Sequence, residues 1–324
     1  MNTEFKNAIK ASDKDAQYDA SAKRLLGQKH ILAHILTKTV DEFRGMNPKE
    51  VIQYIEGTPY ISRVSIEQGL INSFYKINSK RIVGFNTESE EINEGIVRFD
   101  IVFYVRMKDG LSQIIINVEA QKNEPTEYEI LNRAIFYVSR LISSQKERDF
   151  INSDYDDIKK VYSIWVCMNM DENTMTHIHL INEDIIGSYE WKGKIDLFNI
   201  VMIGLSNELP IYDETYELHR LLGTLLSKEL SADDKLNIIE KEYDIPIEEN
   251  LRKDVNIMCN LSQGIKEDGI AIGEAIGETK GEAKAEARII LNMHKNGFTI
   301  EQIAKVTDKD IEDVKSIIAR NNRE

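Results

Sequence analysis

The sequence is poor in the features that mark secreted or membrane proteins. Its 324 residues include only two cysteines, Cys167 and Cys259. They lie far apart and lack metal-type spacing, so neither a disulfide framework nor a cysteine-based metal site is expected. No window approaches the roughly 20 apolar residues that cross a bilayer, and the first residues lack the apolar centre of a signal peptide. The sequence therefore predicts a cytoplasmic protein without a membrane partner.

The chain also has fewer basic than acidic residues. The chain has 41 Lys and Arg residues against 55 Asp and Glu residues, which gives a formal net charge of −14. This balance argues against a broadly basic surface that coats nucleic acid. Any contact with a polyanion would have to be local.

The most informative segment, residues 99–122, has the pattern of a β-hairpin. Two β-rich runs, 100–106 and 112–121, flank a turn that contains Asp109 and Gly110. An Asp-Gly pair in this position favours a two-residue type I′ turn. That turn fixes the register, and it places Asp100 directly opposite Glu119, with β-carbons roughly 4.5–5.5 Å apart. Gln121 lies on the same face as Glu119 because side chains alternate along a strand.

Two carboxylates that face each other repel, which is an unfavourable choice in a strand pair otherwise rich in apolar residues. A divalent cation between them would remove the repulsion. Mg²⁺ is typically held by one or two carboxylates together with water and phosphate oxygens. The alternative is an exposed hairpin face on which two acids happen to fall.

These residues resemble a known signature. Phe99-Asp100, a hairpin and then Glu119-Ala120-Gln121 are similar to the active-site motif of the PD-(D/E)XK nuclease superfamily. The resemblance is closer to its recombination-promoting nuclease (Rpn)-like branch, often called PD-(D/E)XK family transposases. Phe99 replaces the Pro of the motif, which has no chemical role. Gln121 replaces the Lys, as is common in this branch, and the replacement removes a cation.

The resemblance implies an α/β fold with a restriction-endonuclease-like αβββαβ core and a mixed central sheet, followed by a helical C-terminal extension. Hydrophobic periodicity predicts elements in the same order over roughly residues 20–170. A helix at 23–43 precedes a strand region at 83–97, in which Glu88–Glu91 form a charged turn, and then the hairpin. A helix at 127–150 follows, and its predicted buried stripe includes Tyr128, Leu131 and Ile135. A buried strand is predicted at 160–168.

By the same resemblance, the activity is that of a metal-dependent DNA endonuclease that hydrolyses phosphodiester bonds with Mg²⁺ or Mn²⁺. Asp100, Glu119 and the backbone carbonyl of Ala120 would hold the metal ion. Gln121 would orient the attacking water, although it supplies neither charge nor a base. An acidic chain is compatible with this activity because the metal ion meets the phosphate, but DNA binding would be weak and sensitive to salt.

The resemblance also makes three further residues candidates for supporting roles. Glu42 would add a third carboxylate, or it is a solvated residue at a helix end. Arg133 and Tyr137 lie one turn apart on one helix face. They would contact the scissile phosphate or orient Gln121, or they form a surface pair in which Arg packs on Tyr.

Two histidine pairs also have spacing that metal sites use. His30 and His34 lie one helical turn apart, and His177 and His179 alternate on a predicted strand. Neither pair has a visible further ligand, so we interpret all four as structural.

The predicted organisation has five parts. A flexible N-terminus at 1–20 precedes a nuclease-like domain at 21–210 and a helical extension at 211–264. A linker helix with a Gly/Glu repeat at 265–286 leads to a small helix-turn-helix-like module at 287–324. Each interior Gly of the repeat costs about 1 kcal/mol of helix stability relative to Ala.

The C-terminal module is predicted to contain short helices at 288–296, 299–306 and 310–320. Thr299 and Gln302 have the spacing of a capping box. The third helix begins with Asp310, Glu312 and Asp313, which repel phosphate. We therefore favour packing or homodimerisation for this module over DNA reading.

Two other functions are open on the sequence. The lost Lys and the acidic charge would also suit a catalytically weak or inactive nuclease-fold protein that acts as a binding or scaffold module. A transposase acting with partner proteins is the weaker alternative, because no separate strong DNA-reading domain is visible.

Overall fold

A computed structural model describes residues 17–61, 88–91, 95–98, 100–107, 113–121, 127–146, 149–150 and 152–321. The chain divides into two compact units, Met1–Ser262 and Gln263–Glu324. The first unit contains a six-stranded mixed sheet with helices, so the predicted α/β class is confirmed. In the described part of the chain, no helix has both the length and the apolar composition that crossing a bilayer requires.

The helices and strands of the first unit occur in groups along the chain. Its helices are α1 at residues 17–26, α2 (Lys29–Thr39), α3 (Pro48–Val51), α4 (Ile130–Ser143), α5 (Glu217–Leu226), α6 (Ala232–Tyr243) and the start of α7 (Glu249–Lys295). Its strands are β1 (Tyr60–Ile61), β2 (Glu88–Glu91), β3 (Gly95–Arg98), β4 (Ile101–Arg106), β5 (Gln113–Gln121), β6 (Lys160–Met170), β7 (Thr174–His179) and β8 (Phe198–Ser206).

The main sheet has the strand order β1-β4-β5-β6-β8-β7. Strands β5, β6 and β8 are mutually parallel, whereas β4 is antiparallel to β5 and β7 is antiparallel to β8. A parallel pair needs a crossover connection, and α4 supplies it between β5 and β6. The carboxyl ends of β5 and β6 therefore lie at the same edge of the sheet.

Helix α4 packs on one face of this sheet and closes an apolar core. Trp165 of β6 is completely buried there, with its ring 5.5 Å from that of Tyr137 on α4. The other members of this core are Val102, Tyr104, Ile115, Ala134, Val138, Leu141, Val161, Cys167 and Ile200. The packing holds α4 at a fixed position over the carboxyl ends of β5 and β6.

The N-terminal helical region differs from the prediction in two ways. Residues 17–20, predicted to be flexible, belong to α1; the rest of the predicted flexible segment lies outside the described residues. The helix predicted at 23–43 is broken after residue 26, and α2 begins at Lys29. Gly27, a poor helix former, lies at the break and explains it.

One part of the region before the hairpin differs from the prediction. Glu88–Glu91, predicted to be a charged turn, form β2, which pairs with β3. The ladder pairs residue 88 with residue 98, and β3 falls in the predicted strand region. Residues 83–87 and 92–94 of the predicted strand region lie outside the described residues.

Helix α4 is shorter than the predicted 127–150, and its buried stripe is narrower. Tyr128, Leu131 and Ile135 were predicted to be buried but are 44%, 39% and 42% exposed. Tyr137 and Arg140 are buried instead. The buried face of α4 therefore lies further round the helix than predicted, on the side where Tyr137 contacts Trp165.

The second unit is helical in its described part. One helix, α7, contains the predicted linker helix at 265–286 and most of the predicted segment at 288–296. A side chain at Gly273, Gly277 or Gly281 would meet no atom of the described residues within 4 Å, so no close contact requires glycine at these positions. Helices α8 (Ile300–Thr307) and α9 (Ile311–Asn321) follow, and a small core unites Ile290, Ile303, Ala304, Val314 and Ile318. The predicted capping box of Thr299 and Gln302 is confirmed.

The buried histidine of α2 should make the stability of the first unit depend on pH. His34 packs edge-on against Tyr243, with ring centroids 5.5 Å apart, and burial lowers its pKa to about 4 from 6.5. Because the folded state favours the neutral ring, this contribution to the free energy of unfolding is complete above pH 6.5 and is lost as the pH falls towards 4. We expect a loss of about 2 kcal/mol by pH 5. Urea unfolding above pH 6.5 and at pH 5 measures this loss of stability in wild type and in His34→Gln. The variant should lack the loss, whereas the exposed control His294→Gln should retain it.

The capping box should stabilise the start of α8. The Thr299 hydroxyl accepts a hydrogen bond from the Gln302 amide, and the Gln302 side chain accepts one from the Thr299 amide. Thr299→Ala removes the first bond and should cost about 1 kcal/mol. Hydrogen exchange of the amides of α8, followed by mass spectrometry, should then be about fivefold faster. Ser316→Ala on the exposed face of α9 is the control, and equal exchange in both variants would contradict the prediction.

Candidate functional site

The hairpin brings Asp100 and Glu119 together in the predicted register. The β4–β5 ladder runs from Ile101 opposite Val118 to Arg106 opposite Gln113, while the predicted turn around Asp109 and Gly110 lies outside the described residues. One step beyond this ladder, the Asp100 amide donates a hydrogen bond to Glu119 Oε1 at 3.0 Å. The Ala120 amide donates one to Asp100 Oδ2 at 2.9 Å. Each carboxylate is thus held by the backbone of the opposite strand.

The site lies where the parallel strands end. Glu119 is level with Trp165 of β6, and Gln121 is level with Cys167. Since side chains at even spacing share a sheet face, Glu119 and Gln121 point towards the side covered by α4. Glu119 is only 2% exposed. The last residues of an apolar strand therefore present a buried acid at the sheet edge.

An ammonium group from α1 completes this arrangement. Lys23 Nζ lies 2.7 Å from Asp100 Oδ1 and 2.6 Å from Oδ2 of Asp19, one helical turn earlier. The side chains of Lys23 and Asp100 are only 10% and 13% exposed. Both oxygens of Asp100 therefore have partners, one a backbone amide and the other a cation.

Burial and charge act in opposite directions on this pair. Burial raises the pKa of Asp100, and the Lys23 ammonium and the Ala120 amide counteract part of the effect. Burial also acts to lower the pKa of Lys23, but Asp100 and Asp19 outweigh it, so this pKa lies above its ordinary value. Lys23 therefore carries its positive charge at neutral pH.

Two predicted supporting residues, Arg133 and Tyr137, lie beside the pair. The Arg133 guanidinium donates hydrogen bonds to the hydroxyls of Tyr137 at 2.8 Å and Tyr128 at 2.9 Å. It lies 5.5 Å from the centre of the Trp165 ring, and Trp165 is level with Glu119. Burial acts to lower the pKa of Arg133, but Tyr137 and Glu119 outweigh it and the pKa is raised. Burial and the charge of Glu119 also raise the pKa of Tyr137.

Glu42, predicted as a third carboxylate, lies at the other end of the sheet. It forms an ion pair with Lys160 and accepts a hydrogen bond from the Tyr162 hydroxyl at 3.2 Å. Lys160 is level with Ile114, whereas Glu119 is level with Trp165. Five residues of strand separate these levels, which is about 16 Å. The structure does not bring Glu42 to Asp100.

The histidine pairs lie elsewhere as well. His34 packs on Tyr243, and His177 contacts Asn199 Oδ1 at 3.1 Å and the ring of His179 at 4.8 Å. Within the described ranges, no group of three or more acidic, His or Cys side chains is arranged to hold a metal ion. A divalent ion at the hairpin would have to rely on fewer side chains.

The donor set at the hairpin nevertheless fits a hard cation. Asp100 and Glu119 offer carboxylate oxygens, and Asp100 Oδ1 already binds a positive group, the Lys23 ammonium. Mg²⁺ commonly uses one or two carboxylates and completes its shell with water and phosphate oxygens. Two side chains and a backbone carbonyl are therefore a sufficient protein contribution.

Sequence reasoning overlooked Asp19 and Lys23. Their spacing is that of an acid and a base on one helix face, which is a common pattern and carries no chemistry by itself. Only the long-range contact with Asp100 gives Lys23 a role at the site. The prediction that the N-terminus is flexible to residue 20 also placed Asp19 outside the folded domain.

Comparison with known proteins confirms the resemblance. Residues 64–205, a little under half of the chain, match the family model described as PD-(D/E)XK nuclease family transposase. The match includes the hairpin, α4 and the central strands β6 and β8. No match was found among curated proteins or among solved structures.

The buried pair of Lys23 and Asp100 should be energetically coupled. A double-mutant cycle with Lys23→Met and Asp100→Asn, followed by urea unfolding, should give a coupling energy of about 1–3 kcal/mol. The exposed pair Arg44–Asp41, at 2.7 Å with side chains 64% and 53% exposed, is the control. Its coupling should stay below about 1 kcal/mol because water screens it. Equal coupling in the two cycles would contradict a buried ion pair.

Proposed function

Because residues 64–205 match a family of nuclease-type transposases, we propose that this protein is a metal-dependent DNA endonuclease of the Rpn-like type. It would hydrolyse phosphodiester bonds. The observation that carries the proposal is the facing, backbone-held pair of Asp100 and Glu119 at the carboxyl end of a central strand.

The order of the described elements supports the finer fold. Helix α2 precedes strands β1, β4 and β5 of the main sheet, and α4 then leads to β6. Strands β5 and β6 are parallel and β4 is antiparallel, as in a mixed sheet. This is the order of a restriction-endonuclease-like αβββαβ core.

Asp100, Glu119 and the Ala120 carbonyl would hold Mg²⁺ or Mn²⁺. When bound, such an ion supplies a water of lowered pKa and positive charge at the phosphate oxygens. Gln121, on the same face as Glu119, would hydrogen-bond this water and orient it. Its amide cannot accept the proton as a base, so its role is to position the water.

Arg133 and Tyr137 would contact the scissile phosphate. The guanidinium stays charged and is oriented by two tyrosine hydroxyls. A planar guanidinium suits phosphate oxygens because it can donate two parallel hydrogen bonds. DNA is the proposed partner, and its recognition would depend on these local cations because the chain as a whole is acidic.

A second function is favoured by one observation. Gln121 stands where the motif has a cation, and Asp100 is already neutralised by Lys23. A catalytically weak nuclease-fold protein that serves as a binding or scaffold module would have this arrangement. Such a protein would gain no stability from divalent metal ions.

The experiment compares wild type and Glu119→Ala on supercoiled plasmid at low salt with Mg²⁺, Mn²⁺ or EDTA. We expect metal-dependent cutting, which the variant loses by on the order of 100-fold or more because a metal ligand is gone. Glu42→Ala is the matched control, since this acid lies at the opposite end of the sheet, and it should cut normally.

A thermal-shift measurement separates the two functions. Mn²⁺ at about 100 times its dissociation constant should stabilise the wild type by about 2.7 kcal/mol. Glu119→Ala should lose this stabilisation. If the wild type neither cuts plasmid nor gains stability with Mn²⁺, the nuclease proposal fails and the scaffold function takes its place.

A further inference from the structure

The motif of this chain lacks a cation that phosphodiester cleavage uses. Gln121 is neutral, so it cannot offset the charge that develops on the phosphate. Positive charge at the reacting phosphate is a large part of catalysis in phosphoryl chemistry. The structure brings a lysine to the proposed metal ligand Asp100 from a different element, α1.

The contact is direct. Lys23 Nζ lies 2.7 Å from Asp100 Oδ1, one hydrogen bond from a proposed metal ligand. A metal ion bound by that carboxylate would lie about 2.1 Å from its oxygen. The ammonium would then be within about 5 Å of the metal ion and within reach of a phosphate oxygen bound to it.

Helix α1 is firmly fixed, so the ammonium is presented by a rigid element. Leu25 and Leu26 are completely buried, and Tyr18 is 1% exposed. The Tyr18 hydroxyl donates a hydrogen bond to the carbonyl of Leu226 at the end of α5. Asp19 holds the ammonium from the other side at 2.6 Å. A long, flexible side chain is thereby preorganised before any ligand binds.

We propose that Lys23 takes the place of the motif lysine and supplies the positive charge that Gln121 lacks. This inference rests on the proposed function. Lys23 remains protonated throughout: it donates a hydrogen bond to a non-bridging phosphate oxygen and transfers no proton. The attacking water would lose one proton to solvent as its oxygen bonds to phosphorus, and the leaving oxygen would keep the electron pair of the broken bond to phosphorus and take a proton from solvent.

The decisive experiment removes the positive charge of Lys23 and places a lysine at residue 121, the position of the motif lysine. We compare plasmid cutting with Mg²⁺ by wild type, Lys23→Met, Gln121→Lys and the double variant Lys23→Met/Gln121→Lys. Lys23→Met should cut about 100-fold more slowly, the size of effect seen when one stabilising donor is removed. The double variant should regain about tenfold or more of that loss, because it restores an ammonium at the same carboxylate pair.

Lys160→Met is the matched control. Lys160 is also a half-buried lysine held by two acids, Glu42 and Asp196, but at the opposite end of the sheet. The Lys160→Met variant should cut plasmid like the wild type after correction for any loss of folded protein. Circular dichroism and the thermal midpoint establish folding, and Lys23→Gln, which can still hydrogen-bond both acids, substitutes if Lys23→Met does not fold.

A binding measurement provides a readout other than cutting. The affinity for a fluorescent DNA duplex in Ca²⁺ should fall in Lys23→Met, and the slope of its salt dependence should become shallower by about one charge. The double variant should recover both. A purely structural role of Lys23 would lower the thermal midpoint without this pattern of recovery.

The outcomes distinguish the role proposed for Lys23 from the nuclease function proposed for the protein. If the wild type cuts and Lys23→Met cuts like Lys160→Met, the role of Lys23 is refuted while the nuclease function stands. A folded double variant as slow as Lys23→Met would also refute it. No cutting by the wild type with any metal ion would overturn the nuclease function and this role together.

Discussion

Two acids buried at the end of an apolar sheet impose the main constraint on this structure. A carboxylate removed from water must receive hydrogen bonds or an opposite charge, or it cannot stay ionised. Asp100 and Glu119 receive amide hydrogen bonds across the hairpin, and Asp100 receives an ammonium from α1. The local backbone, the first helix and α4 all contribute to this compensation. An apolar strand without acidic residues would need no such compensation.

The packing of α4 on Trp165 belongs to the same arrangement. Tyr137 contacts the Trp165 ring, and its hydroxyl accepts a hydrogen bond from Arg133. A hydrophobic contact thus sets the position of a guanidinium beside Glu119. Tight core packing leaves little freedom for such a helix, so the charges at the sheet edge are positioned before any ligand arrives.

Patterns of adjacent residues predicted the hairpin, but they could not predict contacts between residues that lie far apart in the sequence. The Asp-Gly turn and the alternation of side chains were enough to place Asp100 opposite Glu119, because register follows from a few adjacent residues. The same rules could not tell which end of the sheet a distant helix reaches. Glu42 was therefore kept as a candidate third carboxylate although it lies at the other end of the sheet, and Lys23 was overlooked. In α7, the Gly/Glu repeat is helical as predicted, although each interior glycine weakens a helix.

The position of α1 in the sequence has a consequence for how the limits of this domain are drawn. The family match begins at residue 64, after the whole of α1, and ends before α5, whose last carbonyl accepts the hydrogen bond from Tyr18. A fragment cut to the matched residues would keep both acids and lose the lysine that neutralises one of them. Its hairpin would keep the two amide hydrogen bonds, but the buried Asp100 carboxylate would lose its counter-charge. The physical domain is therefore wider than the segment that sequence comparison outlines.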